Sequence, residues 1–362
     1  MVNERAYWLA WQQIEGVGPH RLKALKDRWG SLRAAWETES RALLSVPGLG
    51  LSLVERIAAY RSKTNPLAQA HTWEEEYGPC WTPEDADYPP LLQEIPDTPA
   101  VLYYRGPRPA WTPAVAIVGT RTPSDYGLRW AKKLGFELTR AGFLVVSGMA
   151  TGIDGAAHEG ALEAGGATVA VLGCGVDLCY PLQNHSLYQR IRERGIILSE
   201  HPKQTPPAKA NFPRRNRILA GMTQATVVIE APTSSGSLIT ARLAVDYGRE
   251  VFALPGQVDT PQAQGALSLV SQGAQVVLGI EDLILKLGAT PAPTLAAPPP
   301  AAWDLTSVEQ LVLARLTGEP QALEVLLQQT DLGTGDLTAV LLLLELKGLA
   351  AQLAGLRYRR VG

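Results

Sequence analysis

Histidine, cysteine and methionine are scarce here: five, three and three residues in a chain of 362. Cys80, Cys174 and Cys179 offer no disulfide framework, and their spacing matches no common zinc pattern. A reduced, cytoplasmic setting is the simplest expectation. His20, His71, His158, His185 and His201 form no metal-spaced cluster, so no metal, cofactor or catalytic residue is expected. The chain lacks a long apolar run and a charged-then-apolar leader, which argues against a membrane span or export. It lacks a strong net charge: 33 basic residues face 35 acidic ones. Any nucleic-acid site must therefore be a concentrated patch rather than a global field. Two nucleotide signatures are also missing. No G-x-x-x-x-G-K-[ST] loop occurs, and Gly173-Cys174-Gly175 begins a dinucleotide fingerprint that Leu178 breaks.

What is present is globular: 46% hydrophobic and 19% charged residues, enough for two or three domains. Five prolines among 289–302 mark a linker before a tail at 303–362. Residues 1–75 are expected as a helical front domain and 76–288 as the core. In the front, Tyr7, Trp11 and Ile14 share one helical face, as do Leu22, Leu25 and Trp29. The stretch 66–112 mixes proline, tryptophan and acids and resists assignment. Apolar runs at 114–118, 143–147, 168–172, 196–199, 225–229 and 250–254 alternate with helical stretches. That pattern predicts an α/β core with a mainly parallel sheet covered on both faces. Three helical patterns and a small hairpin in the tail suggest a winged helix.

Three glycine- and hydroxyl-rich loops follow strands and open helices: 118–127, 147–155 and 230–240. Glycine lets a ligand approach backbone, and helix N-termini favour anions, so together they resemble a crevice for phosphate groups. Tight strand-to-helix geometry is the plainer reading of any one loop. The sharpest patch is 209–217, where Lys209, Arg214, Arg215 and Arg217 accompany Asn211, Asn216 and Phe212. Arginine forks suit phosphate oxygens and Phe212 suits a base face; intramolecular ion pairs are the alternative. In the front, Gly16, Gly18, Gly48 and Gly50 lie in two turns of helix-hairpin-helix form, with Arg21 and Lys23 beside the first. Such turns hold a DNA phosphate without reading sequence, or serve as a structural hairpin. The third tail helix exposes Asp336, Leu342, Leu343 and Glu345, which is the wrong surface for a major groove.

In order, 117–121, 147–154, 170–175, 212–218, 235–241 and 248–256, with Tyr180-Pro181, Asn184 and Glu230-Ala231, resemble the DNA-processing protein A family (DprA, also called Smf). The resemblance spans about 114–280, and the front and tail are similar to the longer members. It implies an extended Rossmann-like core, flanked by a SAM-like helical domain and a winged helix. It implies a non-enzymatic, sequence-independent single-stranded DNA binder. Members act in natural transformation, protecting incoming strands and loading RecA where single-strand-binding protein coats them, as homodimers through the core. Carried over, the DNA pocket would use Gly119, Thr120 and Arg121 with Lys209, Phe212, Arg214, Arg215, Asn216 and Arg217. Gly148 and the turn Ser235, Gly236 and Ser237 would shape its floor. The front turns would add accessory backbone contacts.

The core is also similar to the phosphoribohydrolases that activate cytokinins, whose P-G-G-x-G-T-x-x-E motif carries a catalytic Glu. Aligning Gly236-Ser237 with G-T puts Thr240 at that position. A neutral hydroxyl supplies neither the charge nor the acid–base function, so the enzyme reading ranks second.

Overall fold

The computed structural model describes residues 2–289, 305–353 and 355–361, so residues 290–302 of the expected linker lie outside the described residues. Contacts divide the chain into two compact units, Met1–Ala292 and Pro293–Gly362.

The first unit is built on a nine-stranded sheet. Its strands are β1 (Cys80–Trp81), β2 (Leu102–Arg105), β3 (Ala114–Val118), β4 (Leu144–Ser147) and β5 (Thr168–Val171), then β6 (Ile196–Ser199), β7 (Ala225–Val228), β8 (Glu250–Ala253) and β9 (Gln275–Val276). The order is β1-β2-β6-β5-β4-β3-β7-β8-β9. From β6 to β9 all pairs are parallel, and β1 and β2 add an antiparallel edge. All six apolar runs of the sequence are strands of this sheet, and β3 to β7 are buried along their whole length. Helices on both faces explain why these strands are continuously apolar rather than alternating. The unassigned stretch 66–112 supplies the helix Pro66–Tyr77 and the edge strands β1 and β2. Two and four residues are too short for a periodic signal.

The strand order reverses at β3. From it the chain winds through β4, β5 and β6 to one side, then returns to β7, β8 and β9 on the other. Such a switch point leaves a crevice beyond the carboxyl ends of the two strands that flank it, here β3 and β7.

The front helices Val2–Gln12, Pro19–Trp29 and Leu51–Arg61 share one apolar core with a face of the sheet, from Trp11 and Leu22 through to Ala170 and Ile197. Trp11 meets Trp36 edge-on at 5.2 Å and donates its indole N–H to the Leu32 carbonyl at 3.1 Å. Arg5 fastens the front to the edge segment through Glu74 and Asp85, each at 2.5 Å.

The second unit has helices Ser307–Arg315, Leu323–Thr330 and Thr334–Leu346 and a sheet of β10 (Gln321–Ala322), β11 (Ala350–Leu353) and β12 (Arg357–Arg360), ordered β10-β12-β11. Val312, Leu326, Leu337, Leu341, Leu344 and Tyr358 form its core. This is the expected winged helix, and Asp336, Leu342 and Leu343 are exposed on its third helix. No described helix is long and apolar enough to cross a membrane.

Candidate nucleic-acid interface

A cleft of about 310 Å³ lies at the switch point, between the loops after β3 and β7 and the start of the helix Asn211–Gly221. Gly119, Thr120, Arg121, Phe212, Arg215, Asn216 and the Ser235, Gly236, Ser237 turn all line it. The Thr120 N–H donates to the Glu230 carbonyl at 2.6 Å and ties the two loops together. Gly119 is required by that closeness: a Cβ there would lie 2.6 Å from Ile153 Cγ1 and 2.8 Å from the Glu230 oxygen.

Three helices open onto the crevice, and their N-termini are not equivalent. The Glu230 carboxylate sits at the start of the helix Asp125–Arg140, where it accepts from the Ser124 N–H at 2.8 Å and the Ser124 hydroxyl at 2.5 Å. The helix Ile153–Glu163 carries Asp154, buried at the cleft wall, in its own first turn. Both positions that favour an anion are thus filled by the protein's own acids. The helix Ser237–Asp246 has no acid in its first turn, and its entry is an exposed Gly236 between two serine hydroxyls 2.7 Å apart. The expected phosphate crevice of three loops therefore contracts to this third turn and the side chains around it. Nothing local in the sequence signals this, because Glu230 stands 106 residues from Ser124.

The basic patch also divides. Lys209 and Arg214 are exposed and Phe212 is half-buried, but the helix then enters the interior. Arg215 donates to the carbonyls of Gly148 at 2.8 Å and of Val171, and to Asn216 Oδ1 at 3.2 Å. Burial lowers its pKa, and the carboxylate of Asp154 opposes that. Gly148 exists for this side chain, since a Cβ there would lie 2.5 Å from the guanidinium. Asn216 donates to the Gly236 carbonyl at 3.2 Å and so holds the third turn. Arg217 pairs with Glu200, donates to the Asp97 carbonyl at 2.7 Å and faces the Asp97 carboxylate at 3.6 Å. The expectation that Arg215 and Arg217 present their charge to DNA is corrected: Arg217 is neutralised inside, and Arg215 shows the cleft only part of a guanidinium already spent on strand ends.

Arg121 lies with its guanidinium 5.6 Å from the Phe212 ring centroid. Tyr180 packs on Phe212 as well, at 5.6 Å and 32°. Tyr180, partly exposed, lines a small adjoining slot with Gly148, Arg121 and Arg215. The sequence analysis quoted Tyr180 only as part of a motif; its contact with Phe212 is what places it at the site.

Beneath the cleft, Thr168 donates its hydroxyl to the Val145 carbonyl at 2.7 Å, so it accepts from His158 Nδ1 at 2.8 Å. His158 Nε2 then has no partner, and burial with Arg215 nearby pushes the imidazole pKa from 6.5 to about 3. A folded pKa below the unfolded one means that the unfolded chain binds the extra proton. Stability linked to His158 is therefore complete above pH 6.5 and is lost as pH falls toward 3. Urea unfolding at pH 7 and pH 4.5 is expected to show a smaller acid loss for His158→Gln than for the wild type; equal losses would refute it.

In the front domain, Arg21 donates to the Gly48 carbonyl at 3.0 Å and to the Gly16 carbonyl. It thereby clasps the two turns together, and its charge has no ion-pair partner among the described residues. Lys23 remains exposed. The helices after Gly18 and Gly50 start without a side-chain cap. The first turn faces Arg214 and His201 across a groove of about 440 Å³.

A family model described as DNA recombination-mediator protein A matches residues 79–288, and one for the DprA winged helix domain matches 291–355. Protein Smf of Synechocystis is 41% identical over 396 residues, covering 99% of both chains. Protein Smf of Escherichia coli is 35% identical and covers 88% of this chain and 87% of its own. The X-ray structure of DprA from Streptococcus pneumoniae superposes with a TM-score of 0.67 at 32% identity, over 77% of this chain and 96% of that one. A structure describing the single-stranded DNA binding mode of DNA processing protein A from Helicobacter pylori superposes with a TM-score of 0.52 at 34% identity, over 55% and 92%. With matches that run from the cleft through the tail, this chain belongs to the DNA-processing protein A family, DprA/Smf.

Proposed function

We propose that the chain binds single-stranded DNA without sequence preference in the switch-point cleft and acts as a non-enzymatic recombination mediator. One observation carries this: Arg121 has no ion-pair partner among the described residues and lies with its guanidinium 5.6 Å from the half-buried ring of Phe212 in the cleft, while Lys209 and Arg214, exposed and likewise unpaired, flank Phe212 along the chain. Phosphates and base faces are common to every sequence, so such a site reads none. Protection of incoming strands in natural transformation, delivery of RecA, contact with single-strand-binding protein, pairing of two copies through the core and a cytoplasmic setting form part of the same proposal, and the resemblance to the family is what supports them. The phosphoribohydrolase reading is weaker. Thr240 is buried at the cleft and carries no carboxylate, while Glu230 is engaged by Ser124 and Asp154, buried at the cleft wall, accepts from the Ala150 N–H at 3.4 Å and balances Arg215.

Fluorescence anisotropy with labelled oligothymidine and a matched duplex, over a salt series, tests the proposal. Tighter, salt-sensitive binding of the single strand is expected. Phe212→Ala is expected to cost about 1–3 kcal/mol of stacking, roughly five- to 150-fold in Kd. Salt-independent affinity, or a preference for duplex, would sink the reading.

A further inference from the structure

The tail carries a second concentration of positive charge, and it lies on the wing rather than on the third helix. Strand β12 reads Arg357-Tyr358-Arg359-Arg360. Tyr358 is buried in the core of the unit beneath the helices. Side chains alternate along a strand, so Arg357 and Arg359 stand on the opposite, outer face of the sheet. Two residues of rise separate them by roughly 6.6 Å. Their neighbours across the sheet are small or apolar: Ala322 and Leu353 flank Arg357, and Ala351 pairs with Arg359. Among the described residues no carboxylate forms an ion pair with any of the three arginines, and Arg359 Nε is buried without a hydrogen-bond partner. Two acids of this unit have partners other than these arginines. Glu309 pairs with Lys347 at 2.6 Å, and Glu345 accepts from the Gln352 N–H at 3.1 Å.

We propose that the outer face of the wing is a second contact for the phosphate backbone of single-stranded DNA, made by Arg357 and Arg359. Planar guanidinium forks fit phosphate oxygens, and two on one face suit a ligand whose charge repeats along its length. Alanines beside them keep the face low, so a sugar–phosphate chain lies across it without a groove to fit. An acidic peptide would bring apolar side chains that need a pocket, and Ala322 and Ala351 provide none. Asp336 and the apolar Leu342 and Leu343 belong to the third helix and not to this face. A duplex docked by that helix would meet them.

The test uses the full-length chain and stands apart from the cleft. Anisotropy over a salt series, with a long oligothymidine strand, compares the wild type, Arg357→Ala/Arg359→Ala, the cleft variant Arg121→Ala/Phe212→Ala, and all four substitutions together. Losing two phosphate contacts is expected to reduce the salt slope of the wing variant by about 1.4. The fourfold variant is expected to lose the binding that the cleft variant retains, and Arg357→Lys/Arg359→Lys to restore most of it. An unchanged slope together with unchanged residual binding overturns the wing proposal and leaves the cleft reading intact. Loss in the wing variant with none in the cleft variant supports the wing and discredits the cleft. Equal loss of duplex binding, or polyglutamate displacing the wing-dependent fraction as readily as oligothymidine does, overturns it in favour of another ligand.

Discussion

Arg121→Ala is expected to weaken oligothymidine binding by about 1.5–3 kcal/mol, roughly 10- to 150-fold in Kd. Arg121 is exposed at the end of β3, lines the cleft and sits over Phe212. One guanidinium can thus meet a phosphate oxygen while holding the ring that stacks on a base, and the substitution removes both. The salt slope is expected to drop by about 0.7, the value for one phosphate of a single strand. Arg121→Lys keeps the charge and loses the planar fork, so it should recover the slope and only part of the affinity. Anisotropy at two salt concentrations separates the two effects. Wild-type affinity in Arg121→Ala would move the strand out of this cleft.

Arg215→Ala is expected to act on stability instead. Its guanidinium holds the carbonyls of Gly148 and Val171 at the ends of neighbouring strands and balances Asp154. Removing one member of a buried charged cluster costs about 3–5 kcal/mol, because the partner stays buried and uncompensated. In a unit of this size that corresponds to a fall in Tm of roughly 5–8 °C. Asp154→Asn added to Arg215→Ala should recover part of the loss, which a double-mutant cycle measures. Arg214, the preceding residue, points to solvent. Arg214→Ala should leave stability within about 0.5 kcal/mol of the wild type while weakening DNA binding. Two adjacent arginines with opposite readouts are a sharp check. An Arg215→Ala protein that melts like the wild type would contradict the structural role.

These substitutions also mark where sequence reasoning reaches its limit. Local patterns are written in short windows, and those were legible. The apolar runs at 114–118 and 196–199 coincide with β3 and β6 residue for residue. The tail's leucine spacing announced its three helices and hairpin. The glycine and hydroxyl loops, Arg121, Phe212 and the 209–217 patch were readable as site material, and parts of each, Gly119 to Arg121, Phe212, Arg215, Asn216 and the Ser235 to Ser237 turn, meet in one cleft. The two edge strands were not legible, because β1 and β2 exist through pairing with each other and with β6.

The sequence by itself determined the core strands, the tail helices and the loops that carry the site material. Only the tertiary structure decided which charges face the cleft. Arg217 is neutralised by Glu200 and Asp97, the latter 120 residues away, and the first helix N-terminus is filled by Glu230, 106 residues from its Ser124 partner. Periodicity is a property of neighbours along the chain, whereas the free or spent state of a charge depends on which distant carboxylate the fold brings against it.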